Sequence, residues 1–390
     1  MRILLVHNRY RQPGGEDAVF EAEAALLRGY GHDVRTFTAD NRSIGRVDAP
    51  ALAVRAVWSH RASTALRRRL EPRPDIVHFH NTFPLISPAA YYVCRAAGVP
   101  VVQTLHNYRL LCPASTLFRR GRVCEDCLEV KAPWPGVLHG CYRSSRPQTA
   151  AAAAMLCLHS LLRTWDRQVD AYIALTDFAR RKFIEGGLPQ AKISVKPNFV
   201  DVPPEPAAGD GGYALFVGRL SPEKGIGALL DAWRTLADIP LVIAGDGPLR
   251  QEVEAAAAVS CGRSLRIAGL QDRAGVASLM RGARFLIFPS ACYESFPLVI
   301  AEAFACGLPV VASGLGAAAE IVSDGATGLH FRPSDARDLA AKARTLWSRP
   351  DLGRRMGREA RLQFERAYSA WRNYGLLMSI YESVVEGRSR

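Results

Sequence analysis

No apolar run in this sequence approaches the roughly 20 residues needed to cross a bilayer, so a membrane-spanning helix is excluded. The opening, MRILLVHNRY, has no apolar signal core or cleavage site and reads directly as a β-strand, which gives the expectation of a cytoplasmic protein. No unit of 20 to 50 residues recurs in tandem, so a solenoid is excluded. The glycines of Gly245-Asp246-Gly247-Pro248 lack the third member of a G-x-G-x-x-G fingerprint, which speaks against a nicotinamide-dependent oxidoreductase. Lysine is scarce: 44 of the 50 basic residues are Arg. The nine cysteines are odd in number, which argues against a disulfide framework in such a chain.

What is present is an ordinary globular composition, 48% hydrophobic and 22% charged over 390 residues, enough for two or three domains. Residues 1–199 alternate strand and helix patterns. RILLVHN, HDVRTFTA, PDIVHFHN, VPVVQTLHN, AYIALT and KISVKPN read as strands, with a Gly-rich turn and a helix from about Asp17 to Gly29 after the first. Residues 198–212, NFVDVPPEPAAGDGG, read as a linker. A second alternation follows over 213–366, and a last helix covers about 367–386. Such alternation implies doubly wound parallel sheets. Their ligands sit beyond the C-terminal strand ends, where this chain places Gly14-Gly15-Glu16, His80-Asn81, His106-Asn107 and Asn198. The net charge of +13 lies almost wholly in the first half, which suits an anionic membrane surface, an anionic acceptor or nucleic acid. No recognised nucleic-acid module is visible, so nucleic acid is not expected.

The stretch 285–313, FLIFPSACYESFPLVIAEAFACGLPVVAS, organises the second half. An apolar strand ends at Pro289-Ser290. Ser295 sits where a helix N-cap belongs and Pro297 near the first helical position. The helix should run to about Cys306, with Gly307 closing it. Glu302 lies inside that apolar helix, where a charge is costly without a partner. Glu294 lies in the loop before it. The pair Glu294-(x)7-Glu302 followed by Gly307-Leu308-Pro309-Val310-Val311-Ala312-Ser313 resembles the donor-binding signature of family 4 retaining glycosyltransferases. That resemblance implies the two-Rossmann-domain B-type fold: an acceptor-binding domain over 1–199, a nucleotide-sugar-binding domain over 213–366, the two facing across a cleft, and a C-terminal helix over 367–390 returning to the first domain.

The same resemblance distributes roles. Arg219 and Lys224, in VGRLSPEKG, would bind the donor diphosphate, with positive charge aimed at the leaving group. No two aspartates are separated by a single residue, so the metal-binding D-x-D is absent and no cofactor is expected for catalysis. Glu302 would accept from the ribose hydroxyls and Glu294 from the sugar. The backbone around Ser295, Phe296, Pro297 and Leu298, through the N–H groups of its non-proline residues, would touch sugar or phosphate. His106 would orient the reacting sugar, so that His106 and Glu294 form the catalytic pair. Gly14 and Gly15 would let backbone approach the phosphates, and Asn198 completes the donor-binding set. The implied activity is transfer of a sugar from a nucleotide diphosphate sugar to a saccharide or lipid-linked acceptor in cell-envelope polysaccharide or glycolipid synthesis, at the inner face of the membrane. A nucleotide-sugar epimerase on the same fold, or a nucleic-acid-binding protein using the basic half, are the alternatives.

A second constellation lies in an insertion at about 107–147. Cys112, Cys124, Cys127 and Cys141 contain a C-x2-C knuckle and suit a tetrahedral structural Zn²⁺, with His139 as a substitute ligand. An iron–sulfur cluster or uncoordinated thiols are the alternatives. The helix TAAAAAMLCLHSLLRTW after it is apolar along one face, which fits packing on the sheet or lying against a membrane.

Overall fold

The computed structural model describes residues 1–12, 14–45, 49–201, 211–259 and 264–389. The expected linker therefore lies largely outside the described residues. The chain forms two compact units. The first comprises Met1–Leu117, Glu125–Asn198 and Asn373–Arg390, and the second Phe118–Cys124 and Phe199–Arg372.

The first unit holds six parallel strands: β1 (Arg2–Arg9), β2 (Asp33–Asp40), β3 (Ile76–Asn81), β4 (Val101–Thr104), β5 (Ala171–Ala174) and β6 (Ile193–Val195). Their order across the sheet is β2-β1-β3-β4-β5-β6. Strands β3, β4 and β5 are buried along their whole length, the signature of a parallel sheet covered on both faces. Helix Gly15–Gly29 buries Phe20, Ala24 and Leu27 against Ile3, Leu5 and Ile76. The last helix, Ala370–Ser389, contributes Leu377 and Tyr381 to the same core. At roughly 1.5 to 3 kcal/mol for each large side chain removed from water, these two residues anchor that helix.

The second unit holds β7 (Tyr213–Val217), β8 (Leu241–Ala244), β9 (Leu265–Gly269), β10 (Ala283–Phe288), β11 (Val310–Ser313) and β12 (Gly328–Phe331), in the order β9-β8-β7-β10-β11-β12. All pairs are parallel. Both sheets are thus doubly wound. Their strand order reverses direction beside β1 and β3 in the first unit, and beside β7 and β10 in the second. Loops at such a reversal diverge and leave room for a ligand.

The helix after β10 spans Leu298–Ala305 with Pro297 at its N-cap. The expected cap, Ser295, is buried two residues before the actual N-cap. Proline disfavours helical conformation in the residue before it, so Phe296 does not join the helix and its start is delayed. At the other end Gly307 adopts φ +67°, and the N–H groups of Gly307 and Leu308 donate to the carbonyls of Phe304 and Ala303, closing the helix where expected.

Candidate functional site

In the second unit, the segments that follow β7 and β10 leave adjacent strands on either side of the reversal and touch at one point, Glu223–Gly225 against Pro289–Ala291. Gly225 makes this approach: its φ is +74°, and a Cβ there would lie 1.9 Å from the Pro289 carbonyl oxygen. The N–H of Ala291 and the hydroxyl of Ser290 donate to the Glu223 carbonyl at 2.9 and 3.2 Å, stitching the loops. The result places Lys224 Nζ 2.5 Å from Glu294 Oε1, while Ser290 Oγ donates to the same oxygen at 3.1 Å. Burial disfavours the Lys224 ammonium, but the Glu294 carboxylate outweighs it and raises its pKa. The resemblance implies that Lys224 joins Arg219 in binding a diphosphate. The structure has a short 3-10 turn, Pro222–Lys224, before helix Ile226–Trp233, and Lys224 is held by Glu294.

Arg219 is exposed just beyond β7 and makes no ion pair with a described residue. The glycines of the G-D-G-P segment serve close backbone packing: a Cβ at Gly245 or Gly247 would strike the carbonyl of Gly218 or Leu220, at 1.9 and 2.4 Å. Glu302 is partly buried and its carboxylate has no hydrogen-bond or ion-pair partner among the described residues. Burial raises its pKa, and Arg273 only partly offsets this. A carboxylate kept in an apolar helix without a partner is the feature of this unit that most suggests a ligand. Phe296 is buried against the Tyr368 ring, with centroids 5.6 Å apart, while Leu298 is only partly buried.

The first unit brings together a buried polar cluster that the sequence reading largely missed. His106, just past β4, has Nε2 2.9 Å from Nδ1 of His80. His80 Nε2 lies 3.2 Å from Glu23 Oε1, and His78 Nδ1 lies 3.1 Å from the same oxygen. Lys196 Nζ lies 2.9 Å from Glu23 Oε2 and donates to Asn373 Oδ1 at 3.2 Å. Burial alone would raise the Glu23 carboxyl, but Lys196 and the two histidines hold it well below its usual range. Burial and the neighbouring His78 push His80 down to about 3. Burial and His80 likewise hold His106 well below its ordinary value. Nearby, Asn107 Nδ2 and the Tyr10 hydroxyl donate to the two oxygens of Glu16 at 2.7 and 2.8 Å. Two histidines inside the otherwise apolar strand Ile76–Asn81 were the sequence signal for this cluster.

Gly14 and Gly15 are exposed at the start of the first helix, with open space where a Cβ would stand. The Gly14 N–H is taken by Asp17 at 2.9 Å. Asn198 is buried and its Oδ1 has no hydrogen-bond partner among the described residues.

Among the described residues, the one trio of candidate ligand atoms within 4.8 Å of one another is Glu23, His78 and His80. The Lys196 ammonium already sits on Glu23, and His78 is engaged by the Tyr381 and Thr104 hydroxyls at 2.7 Å each, so these atoms are a poor fit to a metal. No three thiols of the insertion converge in this way. Cys112, Cys127 and Cys141 do lie on segments that meet at Gly136, where a Cβ would be 3.0 Å from Pro113 and 3.5 Å from Cys127 Sγ, and whose carbonyl accepts from the Cys141 N–H. No helix among the described residues is long and apolar enough to cross a membrane.

Comparison with known proteins agrees with this architecture. Residues 201–363 match the glycosyl transferases group 1 family, and residues 14–198 match the glycosyl transferase 4-like domain. The chain is similar to an uncharacterised glycosyltransferase of Methanocaldococcus jannaschii, 33% identical over 161 residues, or 41% of this chain and 45% of that one. It is also similar to a phosphatidyl-myo-inositol mannosyltransferase of Mycobacterium leprae, 32% identical over 97% of this chain and 95% of the relative. Among solved structures, the Anabaena HepE protein in complex with UDP superposes with a TM-score of 0.70 at 18% identity, covering 98% of this chain and 100% of that one. Two Rossmann-like units, the Glu294–Glu302 pair and likeness along nearly the whole length establish that the chain belongs to the glycosyl transferases group 1 family and is a glycosyltransferase of the B-type fold.

Proposed function

We propose that the protein is a retaining glycosyltransferase of family 4 that moves a sugar from a nucleotide diphosphate sugar to a saccharide or lipid-linked acceptor of cell-envelope polysaccharide or glycolipid synthesis, without a catalytic metal. The observation that carries this reading is the placement of Arg219, the Lys224–Glu294 pair and the unpartnered Glu302 on the segments that follow β7 and β10, the two strands at which the second sheet reverses. Arg219 and Lys224 balance the diphosphate as it departs. Glu302 accepts from the ribose hydroxyls, Glu294 from the sugar, and the backbone from Ser295 to Leu298 lies along the donor. Gly14, Gly15 and Asn198 contribute further donor contacts, and His106 orients the reacting sugar. The C1–phosphate bond breaks, the acceptor oxygen bonds to C1 on the same face, and its proton passes to the leaving diphosphate. UDP bound to the Anabaena protein and the phosphoinositide substrate in the name of the mycobacterial relative support a nucleotide donor and a lipid acceptor.

Two further assignments accompany it. The first unit exposes Val130, Trp134, Leu138, Leu161 and Leu162, and Lys131, Leu161 and Arg163 are among the residues lining a groove of about 550 Å³. These exposed apolar and basic residues are the contact with an anionic membrane surface. Cys112, Cys124, Cys127 and Cys141 hold a structural Zn²⁺, a reading supported by the C-x2-C spacing and by the meeting of the Cys112, Cys127 and Cys141 segments at Gly136. Metal analysis of the purified chain checks this: one Zn²⁺ per chain, lost in Cys124→Ser/Cys127→Ser.

The test of the function is product analysis. The full chain is incubated with a panel of nucleotide diphosphate sugars and either phosphatidylinositol or a polyprenyl-linked saccharide, with and without EDTA. Transfer that keeps the donor's anomeric configuration by NMR, undiminished by EDTA, is expected. Anomeric inversion, or product formed without any acceptor as an epimerase would give, overturns the reading.

A further inference from the structure

The polar cluster of the first unit has a direction. It starts at a buried ammonium and ends at His106, and its order of donors and acceptors follows from the atoms. Lys196 is buried to 1% exposure and carries only donors, so its contact at 2.9 Å keeps Glu23 an ionised acceptor. Glu23 Oε1 faces His80 Nε2 at 3.2 Å. The alignment is too poor for a well-formed hydrogen bond. A bare nitrogen lone pair facing a carboxylate at that distance would be repelled, so the His80 proton belongs on Nε2. His80 is neutral at physiological pH, which leaves Nδ1 as an acceptor. The atom 2.9 Å from that acceptor is His106 Nε2, which must therefore be the donor. His106 is then a neutral imidazole with its proton on Nε2 and a lone pair on Nδ1.

We propose that His80 is a positioning residue that fixes the tautomer of His106, with Glu23 and Lys196 setting His80 in turn, so that His106 presents an acceptor at Nδ1. This rests on the reading of His106 as a residue of the reacting site. Its consequence is specific: His106 recognises a hydroxyl that donates, on sugar or acceptor, and cannot donate through that nitrogen. The ring planes of His80 and His106 lie 20° apart with centroids at 5.1 Å. Phe20 packs edge-on to His80 at 5.3 Å, which holds the ring that holds His106. Asn373 tethers Lys196 and itself donates to the Pro197 carbonyl at 2.6 Å, so the last helix supports the origin of the chain of contacts.

The test needs no substrate. The full chain is labelled with ¹⁵N-histidine, and two-bond ¹H–¹⁵N correlations report which ring nitrogen carries the proton. His106 is assigned by the loss of its signals in His106→Gln. In the wild type, His106 should show a protonated Nε2 and a bare Nδ1, unchanged from pH 8 to pH 5. His80→Phe keeps an aromatic ring but removes the acceptor, and His106 should become a mixture of tautomers. His80→Asn places an amide oxygen near the position of Nδ1 and should restore the single tautomer. A wild-type His106 protonated on Nδ1, or charged above pH 5, overturns the proposal even if His80→Phe does not fold. So does a single Nε2–H tautomer persisting in folded His80→Phe. The two readings fail separately. The expected tautomer in a chain with no transfer activity removes the proposed function alone, and the wrong tautomer in an active transferase removes the relay alone.

Discussion

Replacing Glu302 by glutamine separates a binding carboxylate from a structural one, because the two roles predict opposite signs. In the structure Glu302 sits in an apolar helix without a partner, and its pKa is raised by burial. Removing the charge relieves that desolvation, so the ligand-free variant should be more stable, by about 1 kcal/mol for a partly buried group. The donor loses instead. A hydrogen bond to a charged acceptor contributes roughly 1.5 to 3 kcal/mol against about 1 for a neutral one. Two ribose hydroxyls would therefore lose about 1 to 4 kcal/mol together, a nucleotide affinity roughly 5- to several-hundred-fold weaker. Thermal unfolding of the free variant and calorimetric titration with the preferred nucleotide diphosphate measure the two effects. A Glu302→Gln chain that is less stable when free and binds nucleotide as the wild type does would refute the assignment.

Three other outcomes are expected. Lys224→Ala should destabilise the free chain by about 1 to 2 kcal/mol by removing the cation that offsets the Glu294 carboxylate, while exposed Arg219→Ala stays within about 0.5 kcal/mol. Urea unfolding compares them, and both should lose the nucleotide response. Gly225→Ala puts a Cβ 1.9 Å from the Pro289 carbonyl at positive φ; the strain should cost on the order of 3 kcal/mol in the same assay and abolish nucleotide binding. His80 and His106 have folded pKa values depressed below their unfolded ones. Their contribution to stability is therefore complete above the unfolded value of about 6.5 and is lost as pH falls below it, down to about 3 for His80, at about 1.4 kcal/mol per pH unit for each histidine that must charge. Urea midpoints measured from pH 7.5 to pH 4 check the sign.

The sheets were legible because the buried parallel strands are short, largely apolar runs flanked by turns and helices, and polar residues mark their ends. The Glu294–Glu302 spacing located the helix but misjudged its start, since the effect of Pro297 on Phe296 overrides the capping preference of Ser295. Lys224 was expected to face phosphate alone. The sequence carries no sign of the backbone contact at Gly225 that delivers it to Glu294. The cluster of Glu23, His78, His80, His106 and Lys196 escaped for a deeper reason: its members come from four separate segments, and only the fold makes Lys196 a neighbour of Glu23. Its one local trace was a pair of histidines in a strand with no exposed face.

The most direct test of the central claim is a thermal-shift panel on the full chain with UDP, GDP, ADP, their common sugar derivatives and NAD, repeated in Arg219→Ala and Glu302→Ala. The account predicts stabilisation by one nucleotide diphosphate family, about 2.7 kcal/mol at a hundred-fold excess over Kd, and its loss in both variants. A folded protein that responds to none of these nucleotides, or to NAD alone, would contradict it.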